Sequence, residues 1–201
     1  MIAHVFFDVG GVLGSSGWGS EPRERAVARF GLDAADFDRR HREVVGAWEE
    51  GRLGLEEYLD STVFCAPRAF TRAEFTAFMM AQSRPMPDTI AVARELAATG
   101  RFRLMTLNNE SAELNAHRLK VFGLAPHFAA FFSSCWLGVA KPARRIYELA
   151  LAMAQADPAG SVFIDDREQN LAPARALGMH AIHFRDAAAL RRDLAALGVA
   201  P

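Results

Sequence analysis

Lysine is nearly missing from this chain. Of 23 basic residues, 21 are arginine, and only Lys120 and Lys141 are lysine. A GC-rich genome accounts for the bias, so a lysine that survives it draws attention. Cysteine is equally sparse. Cys65 and Cys135 fit no metal-ligand spacing, and both are expected to be ordinary buried thiols. There is no surplus of either charge: the net value of −1 argues against nucleic acid as a partner, and no charged block marks a tail. No run approaches the roughly 18 apolar residues of a membrane span. The first residues carry no basic stretch followed by a long apolar one, so no signal peptide is expected and a reducing, cytoplasmic setting is. The glycine-rich "GGVLGSSGWG" lacks the Gly-Lys-Ser/Thr ending of a P-loop. No internal repeat or low-complexity segment is visible.

What is present is apolar material. Of 201 residues, 51% are hydrophobic, enough for a sizeable core in one domain or in a core with an insertion. Strand-like runs fall at about 3–7, 102–107, 130–134, 161–164 and 180–184, with helical patterns between them. One helix, "PDTIAVARELAATG", reads as starting at Asp88 as N-cap and stopping at Gly100. Alternation of this kind predicts an α/β fold, a parallel sheet with helices on both faces. Residues 15–83 differ. They hold four helical patterns and no clear strand, with Asp33 as one N-cap and Thr71 with Glu74 at capping-box spacing. The expectation is a core of residues 1–14 and 84–201 with an inserted α-helical unit, 15–83.

In an open parallel sheet, ligands bind beyond the carboxyl ends of the strands. The first strand there ends on Asp8, the second on Asn108 and Asn109. The third leads to Lys141, and the fourth ends on Asp165 and Asp166. Singly, each could be a turn or cap residue. Together they bring acids, amides and one ammonium to one crevice. Adjacent carboxylates repel unless a cation lies between them, and carboxylates with carbonyl and water suit magnesium. Lys141 adds a point charge. Phosphoryl transfer needs mostly positioning and charge neutralisation, and an aspartate can serve as its nucleophile.

Four stretches, "FFDVGGVL", "LMTLNN", "LGVAKPARRIY" and "VFIDDREQNLAPARALGM", resemble the four ordered motifs of the haloacid dehalogenase superfamily. The last is also similar to the N-terminal phosphatase domain of soluble epoxide hydrolases. The resemblance implies a Rossmann-like core with a mobile C1-type cap at residues 15–83. By it, Asp8 corresponds to the nucleophile that forms an aspartyl-phosphate, and Lys141 to the lysine that pairs with the nucleophile and the phosphoryl oxygens. Asp8, the Gly10 carbonyl and Asp166 correspond to magnesium ligands. Asp165 and Asn170 fall in supporting positions. Asn108 matches the Ser or Thr that binds the phosphoryl group, with Asn109 beside it. Thr106, two residues back on the same strand face, is the alternative.

The implied reaction is magnesium-dependent hydrolysis of a small phosphorylated metabolite, by a monomer or homodimer, without nucleic acid or membrane. Gly10 departs from the pattern, because most such phosphatases carry there a second Asp that protonates the leaving oxygen. A positioned acid–base group is worth about 10²–10⁴-fold. His41 is a candidate replacement by type, although "DFDRRHREVV" reads as a solvated helix face. Arg42, Trp48 and Arg52 are candidate substrate contacts, and Trp18 a contact or a packing residue at the hinge. Two alternatives stay open: a metal-independent 2-haloacid dehalogenase, whose halide leaves without a proton, and a phosphate-binding regulatory pseudoenzyme. Phosphonate cleavage through a cap Schiff base is disfavoured, because residues 15–83 contain no lysine.

Overall fold

A computed structural model describes residues 1–201. Five strands, β1 (His4–Phe7), β2 (Arg103–Asn108), β3 (Ala130–Ser133), β4 (Ser161–Asp165) and β5 (His180–His183), form one parallel sheet in the order β3-β2-β1-β4-β5. The strand positions read from apolar runs agree to within two residues. The central strand shows why. Val5, Phe6 and Phe7 are all fully buried, as expected where helices cover both faces of a parallel sheet.

Alternation along β1 sorts the core into two layers. Val5 and Phe7 point to the face covered by α5 (Pro87–Ala98) and α10 (Ala187–Ala196), with Val92, Leu96 and Leu190. Phe6 points to the other face, against Ile146 and Ala150 of α8 (Arg144–Ala154) and Leu171 of α9 (Glu168–Ala176). Helix α6 (Ala112–Val121) follows β2, and a single turn, α7 (Ser134–Leu137), follows β3.

Four helices occupy the stretch between β1 and β2: α1 (Ser20–Phe30), α2 (Ala34–Glu49), α3 (Leu55–Thr62) and α4 (Arg72–Ala81). They pack around an apolar cluster of their own that includes Trp48, Tyr58 and Phe75, and into it α6 sends Leu114. Two helix starts follow their sequence signals. Asp33 Oδ1 accepts from Asp36 N at 2.8 Å, capping α2. Thr71 and Glu74 close a reciprocal capping box, with Thr71 N donating to Glu74 Oε2 at 2.7 Å.

A third start differs from the reading. Helix α5 is capped at Met86, and Asp88 lies inside its first turn. Pro87 explains the shift. Its fixed φ and missing N–H suit the first helical position, so the cap falls at Met86 rather than Asp88 and the helix begins two residues earlier. The cysteines also differ from expectation: Cys65 is exposed and Cys135 half-buried. Cys65 lies in the connection between α3 and α4, which faces solvent, and Cys135 is on the short α7. No helix is long and apolar enough to cross a membrane.

The chain leaves the sheet layer for α1–α4 and returns along adjacent paths. Ser15 N donates to Arg84 O at 2.8 Å, and Met86 N to Leu13 O at 2.9 Å. Ser15 Oγ bridges Gln82 O and Arg84 N. The helical layer thus hangs from two linkers bonded to each other.

Candidate active site

With the order 3-2-1-4-5, the chain runs outward from β1 on one side and resumes at β4 on the other. The crevice where that direction reverses, at the carboxyl ends of the strands, is the expected ligand position. Asp8 is the first residue past β1. Its N–H continues the ladder to Ile164 O at 2.8 Å, which fixes the backbone. Its Oδ1 accepts from Val9 N at 2.8 Å and pairs with Lys141 Nζ at 2.9 Å.

Lys141 Nζ has two further acceptors: Asp165 Oδ2 at 2.6 Å and Leu107 O at 2.9 Å. Three N–H donors therefore meet three acceptors. Asp165 is fully buried. Besides Lys141 it accepts from Arg167 N at 2.9 Å and from Asn170 Nδ2 at 3.0 and 3.1 Å. Its oxygens are thus committed to protein donors. Those of Asp166 are not: its buried Oδ1 has no partner. Ligand oxygens of Asp8, Asp165 and Asp166 lie within 4.8 Å of one another. Gly11 makes room for this arrangement. It has φ +82°, and a Cβ there would overlap the Asp166 carboxylate.

Charge follows the geometry. Burial pushes the Asp8 carboxyl up, the Lys141 charge pulls it down and Asp165 pushes it up again, leaving it above its ordinary value. Burial pulls the Lys141 ammonium down, but Asp8 and Asp165 together hold it above its usual range. Burial, then the Asp165 charge, raises Asp166 as well. The cluster is short of positive charge on the side of Asp166, where a cation would relieve it.

A cavity of about 360 Å³ lies over Asp8 and Lys141, while Asp166 lines a separate cleft with Gly11. Asp8, Gly10, Asn109, Lys141 and Asn170 line the cavity from the sheet side, and Trp18, Arg23, His41, Trp48 and Glu49 from the helical side. The residues singled out in the sequence are thus mostly brought together. Asn109 works through Lys141: its amide donates to Lys141 O and accepts from Lys141 N, both at 2.8 Å. Asn108 is buried and does not line the cavity; its Nδ2 donates to Asn115 Oδ1 at 3.1 Å and its Oδ1 has no partner. Thr106 is fully buried opposite Phe7, and its hydroxyl has no partner.

The helical candidates divide. His41 is buried and not on a solvated face. It contacts Tyr58 Oη through Nδ1 at 2.9 Å. Burial, then the Arg23 charge, lowers it to about 4, so its imidazole is neutral. The alternation of charges that suggests a solvated face belongs to the opposite side of α2, where Arg39 pairs with Asp36 and Glu43, while Arg42 pairs with Asp38. Arg52 pairs with Glu50. Arg42 and Arg52 lie off the cavity wall. Trp18 is buried and donates to Tyr58 Oη at 2.8 Å, and Trp48 stacks on the Tyr58 ring at 3.9 Å.

Sequence reasoning missed Glu49, Glu110 and Arg118. His41, Val45, Trp48 and Glu49 follow the i, i+4, i+7, i+8 spacing of one helix face, and all four line the cavity. That spacing was available in the sequence. Glu110 also lines the cavity and pairs with the fully buried Arg118 at 3.2 Å.

Comparison with known proteins bears on the family and the fold. The family model for haloacid dehalogenase-like hydrolases matches residues 2–178. Bifunctional epoxide hydrolase 2 of Rattus norvegicus is 33% identical over 131 residues, covering 64% of this chain and 24% of that protein. Its counterpart in Sus scrofa is 38% identical over 86 residues, 43% of this chain and 16% of that one. The chain therefore spans about a quarter or less of these relatives. Among solved structures, a haloacid dehalogenase family enzyme from Bacteroides thetaiotaomicron, in complex with magnesium and inorganic phosphate, superposes with TM-score 0.75 at 20% identity, over 92% of this chain and 95% of that one. The L-2-haloacid dehalogenase of Xanthobacter autotrophicus superposes with TM-score 0.62 at 18% identity, over 100% of this chain and 85% of that one. The fold, the ordered motifs and a match covering most of the sequence place this chain in the haloacid dehalogenase-like hydrolase family.

Proposed function

We propose that the protein is a magnesium-dependent phosphatase of a small phosphorylated metabolite, with Asp8 as nucleophile and residues 15–83 as a cap over the site. The observation that carries this reading is the unpartnered Oδ1 of Asp166 beside the Asp8–Lys141–Asp165 chain, in which Lys141 and Asp165 are fully bonded and Asp8 keeps Oδ2 free. A buried carboxylate oxygen without a donor is costly unless a cation takes the donor's place. Asp8, Asp166 and the Gly10 carbonyl, which accepts no hydrogen bond from the protein, would hold the ion. Hard oxygen donors of this kind suit magnesium. The ion, when bound, neutralises charge on the phosphoryl oxygens.

The other roles belong to the chain. An Asp8 oxygen attacks phosphorus, the bond to the leaving oxygen breaks, and an aspartyl-phosphate forms for water to hydrolyse. Lys141 places its charge between Asp8 and the phosphoryl group. Asp165 and Leu107 O aim the ammonium, Asn109 fixes its backbone, and Asn170 with Arg167 N fixes Asp165. The helical layer limits access of bulk water to the cavity.

The test is hydrolysis of p-nitrophenyl phosphate and a panel of sugar phosphates, with magnesium and with EDTA, by wild type and Asp8→Asn. Turnover should need the metal and fall to background in Asp8→Asn. Phosphate turnover undiminished by EDTA would overturn the magnesium requirement, and EDTA-resistant halide release from 2-haloacids without phosphate turnover would favour the dehalogenase alternative. Gly10 favours that alternative, since a halide needs no proton, but it leaves Asp166 unexplained. Equal, negligible turnover by both proteins would favour a regulatory phosphate binder.

A further inference from the structure

We propose that Glu49 is the proton carrier of the reaction, standing in from the helical layer for the side chain that Gly10 lacks. The proposal rests on the phosphatase reading. Glu49 is the last residue of α2 and lines the same cavity as Asp8, Gly10 and Lys141. Its backbone is held against the sheet layer: Ser134 Oγ donates to Glu49 O at 2.6 Å. Two residues on, Gly51 lies so close to Cys135 O that a Cβ would overlap it. The carboxylate itself has no hydrogen-bond or ion-pair partner in the protein, so both oxygens are free to meet a ligand.

The competing groups are engaged. Glu110 accepts from Ser111 N at 3.0 Å and pairs with Arg118. His41 is neutral, with Nδ1 on Tyr58. Asp165 is saturated by Lys141, Asn170 and Arg167 N. The groups that face Glu49 are Glu110 from the turn after β2, Arg167 from the turn after β4, Arg23 of α1 and Lys141. Tyr58 of α3, Cys135 of α7 and His41 on its own helix complete the surroundings. Burial, then the Glu110 charge, pushes the carboxyl up to about 7 against the pull of Arg167, Arg23 and Lys141. A group with that value is protonated often enough to give a proton at neutral pH and basic enough to take one back.

In the first step the Glu49 carboxyl gives its proton to the leaving oxygen as the P–O bond breaks and Asp8 bonds to phosphorus, so the product leaves as an alcohol. In the second, the Glu49 carboxylate takes a proton from water. The hydroxyl adds to phosphorus, and the bond to Asp8 breaks. Phosphate is released, with Glu49 protonated again.

The experiment compares wild type and Glu49→Gln on p-nitrophenyl phosphate, whose nitrophenolate leaves without a proton, and on the alkyl phosphates of the panel. Glu49→Gln should lower kcat/KM for alkyl phosphates by about 10²–10⁴-fold and for p-nitrophenyl phosphate by less than about tenfold. The nitrophenolate should appear as a burst, because hydrolysis of the phosphorylated Asp8 has lost its base. Wild-type kcat/KM for the alkyl phosphates should fall above about pH 7, and that limb should vanish in Glu49→Gln. Equal losses on both substrates with the basic limb intact would overturn the proposal and leave Glu49 a structural role. So would no loss, or a wild type that turns over no alkyl phosphate at all. Each of these outcomes, with activity still dependent on Asp8 and magnesium, refutes Glu49 alone. A wild type without Asp8-dependent activity refutes the phosphatase reading instead.

Discussion

Gly10 carries no side chain, and Arg118 of α6 stands over it. A Cβ at position 10 would lie 3.4 Å from Arg118 Nη1. That guanidinium is buried, donates to Ser15 O at 2.7 Å and Ser83 Oγ at 3.3 Å, and pairs with Glu110. A carboxylate introduced at position 10 would be held ionised by the arginine, and an ionised carboxylate has no proton to give. Gly10→Asp should therefore leave kcat for alkyl phosphates at neutral pH no higher than wild type; steady-state kinetics would show it. Asp8, Asp165 and Asp166 were visible in the sequence because each interrupts an apolar pattern at a strand end, and Lys141 because lysine is so rare in the chain. Glu49 and Arg118 were not, because a charged residue in an amphipathic helix looks solvated until its neighbours are placed. Gly11 shows in the sequence only as part of a glycine-rich stretch. Its use in clearing space for Asp166 needs the position of a residue 155 places away.

At the scale of the helices, Tyr58 joins α3 to α2 and to the entry of α1. Trp18 Nε1 donates to its hydroxyl, which also shares a hydrogen bond with Nδ1 of the neutral His41 ring. Tyr58→Phe would leave both groups buried without that partner, at a cost of roughly 2–3 kcal/mol, measurable as a lowered urea midpoint. His41 adds a pH dependence. Its folded value of about 4 lies below the ordinary 6.5, so the unfolded chain takes up the proton first as pH falls. The stability tied to neutral His41 is complete above about pH 6.5 and is lost as pH falls toward 4. Between pH 7 and 5 the loss is roughly 2 kcal/mol, and His41→Asn should remove that part of the slope in urea titrations at the two pH values. Strands were legible at this scale because β4 and Val5–Phe7 of β1 are buried throughout and read as continuous apolar runs. Helix starts were legible where a side chain makes the cap, as at Asp33 and Thr71. At Asp88 the proline decided the matter through its backbone.

Across the whole molecule, one side chain governs how the two layers join. Arg118 reaches Ser15 on the outgoing linker and Ser83 on the returning one, and Gly17 gives it space that any Cβ would fill. Arg118→Met should cost about 3–5 kcal/mol, because it strands Glu110 as an uncompensated buried charge; thermal or urea unfolding would measure it. The parallel sheet and the helical segment could be read from the pattern of apolar runs, but this clamp could not, since it joins residues from three distant parts of the sequence. It also restricts how the layers can part. If the helical layer opens, it would swing like a door on this one pin, and the bonds to release include those from Ser134 to Glu49 and from Leu55 N to Glu113. If Glu49 is the proton carrier, opening removes it from Asp8 at the same moment that it admits substrate. The swing then acts as a clock: a phosphorylated molecule caught open keeps its phosphoryl group until the door shuts again.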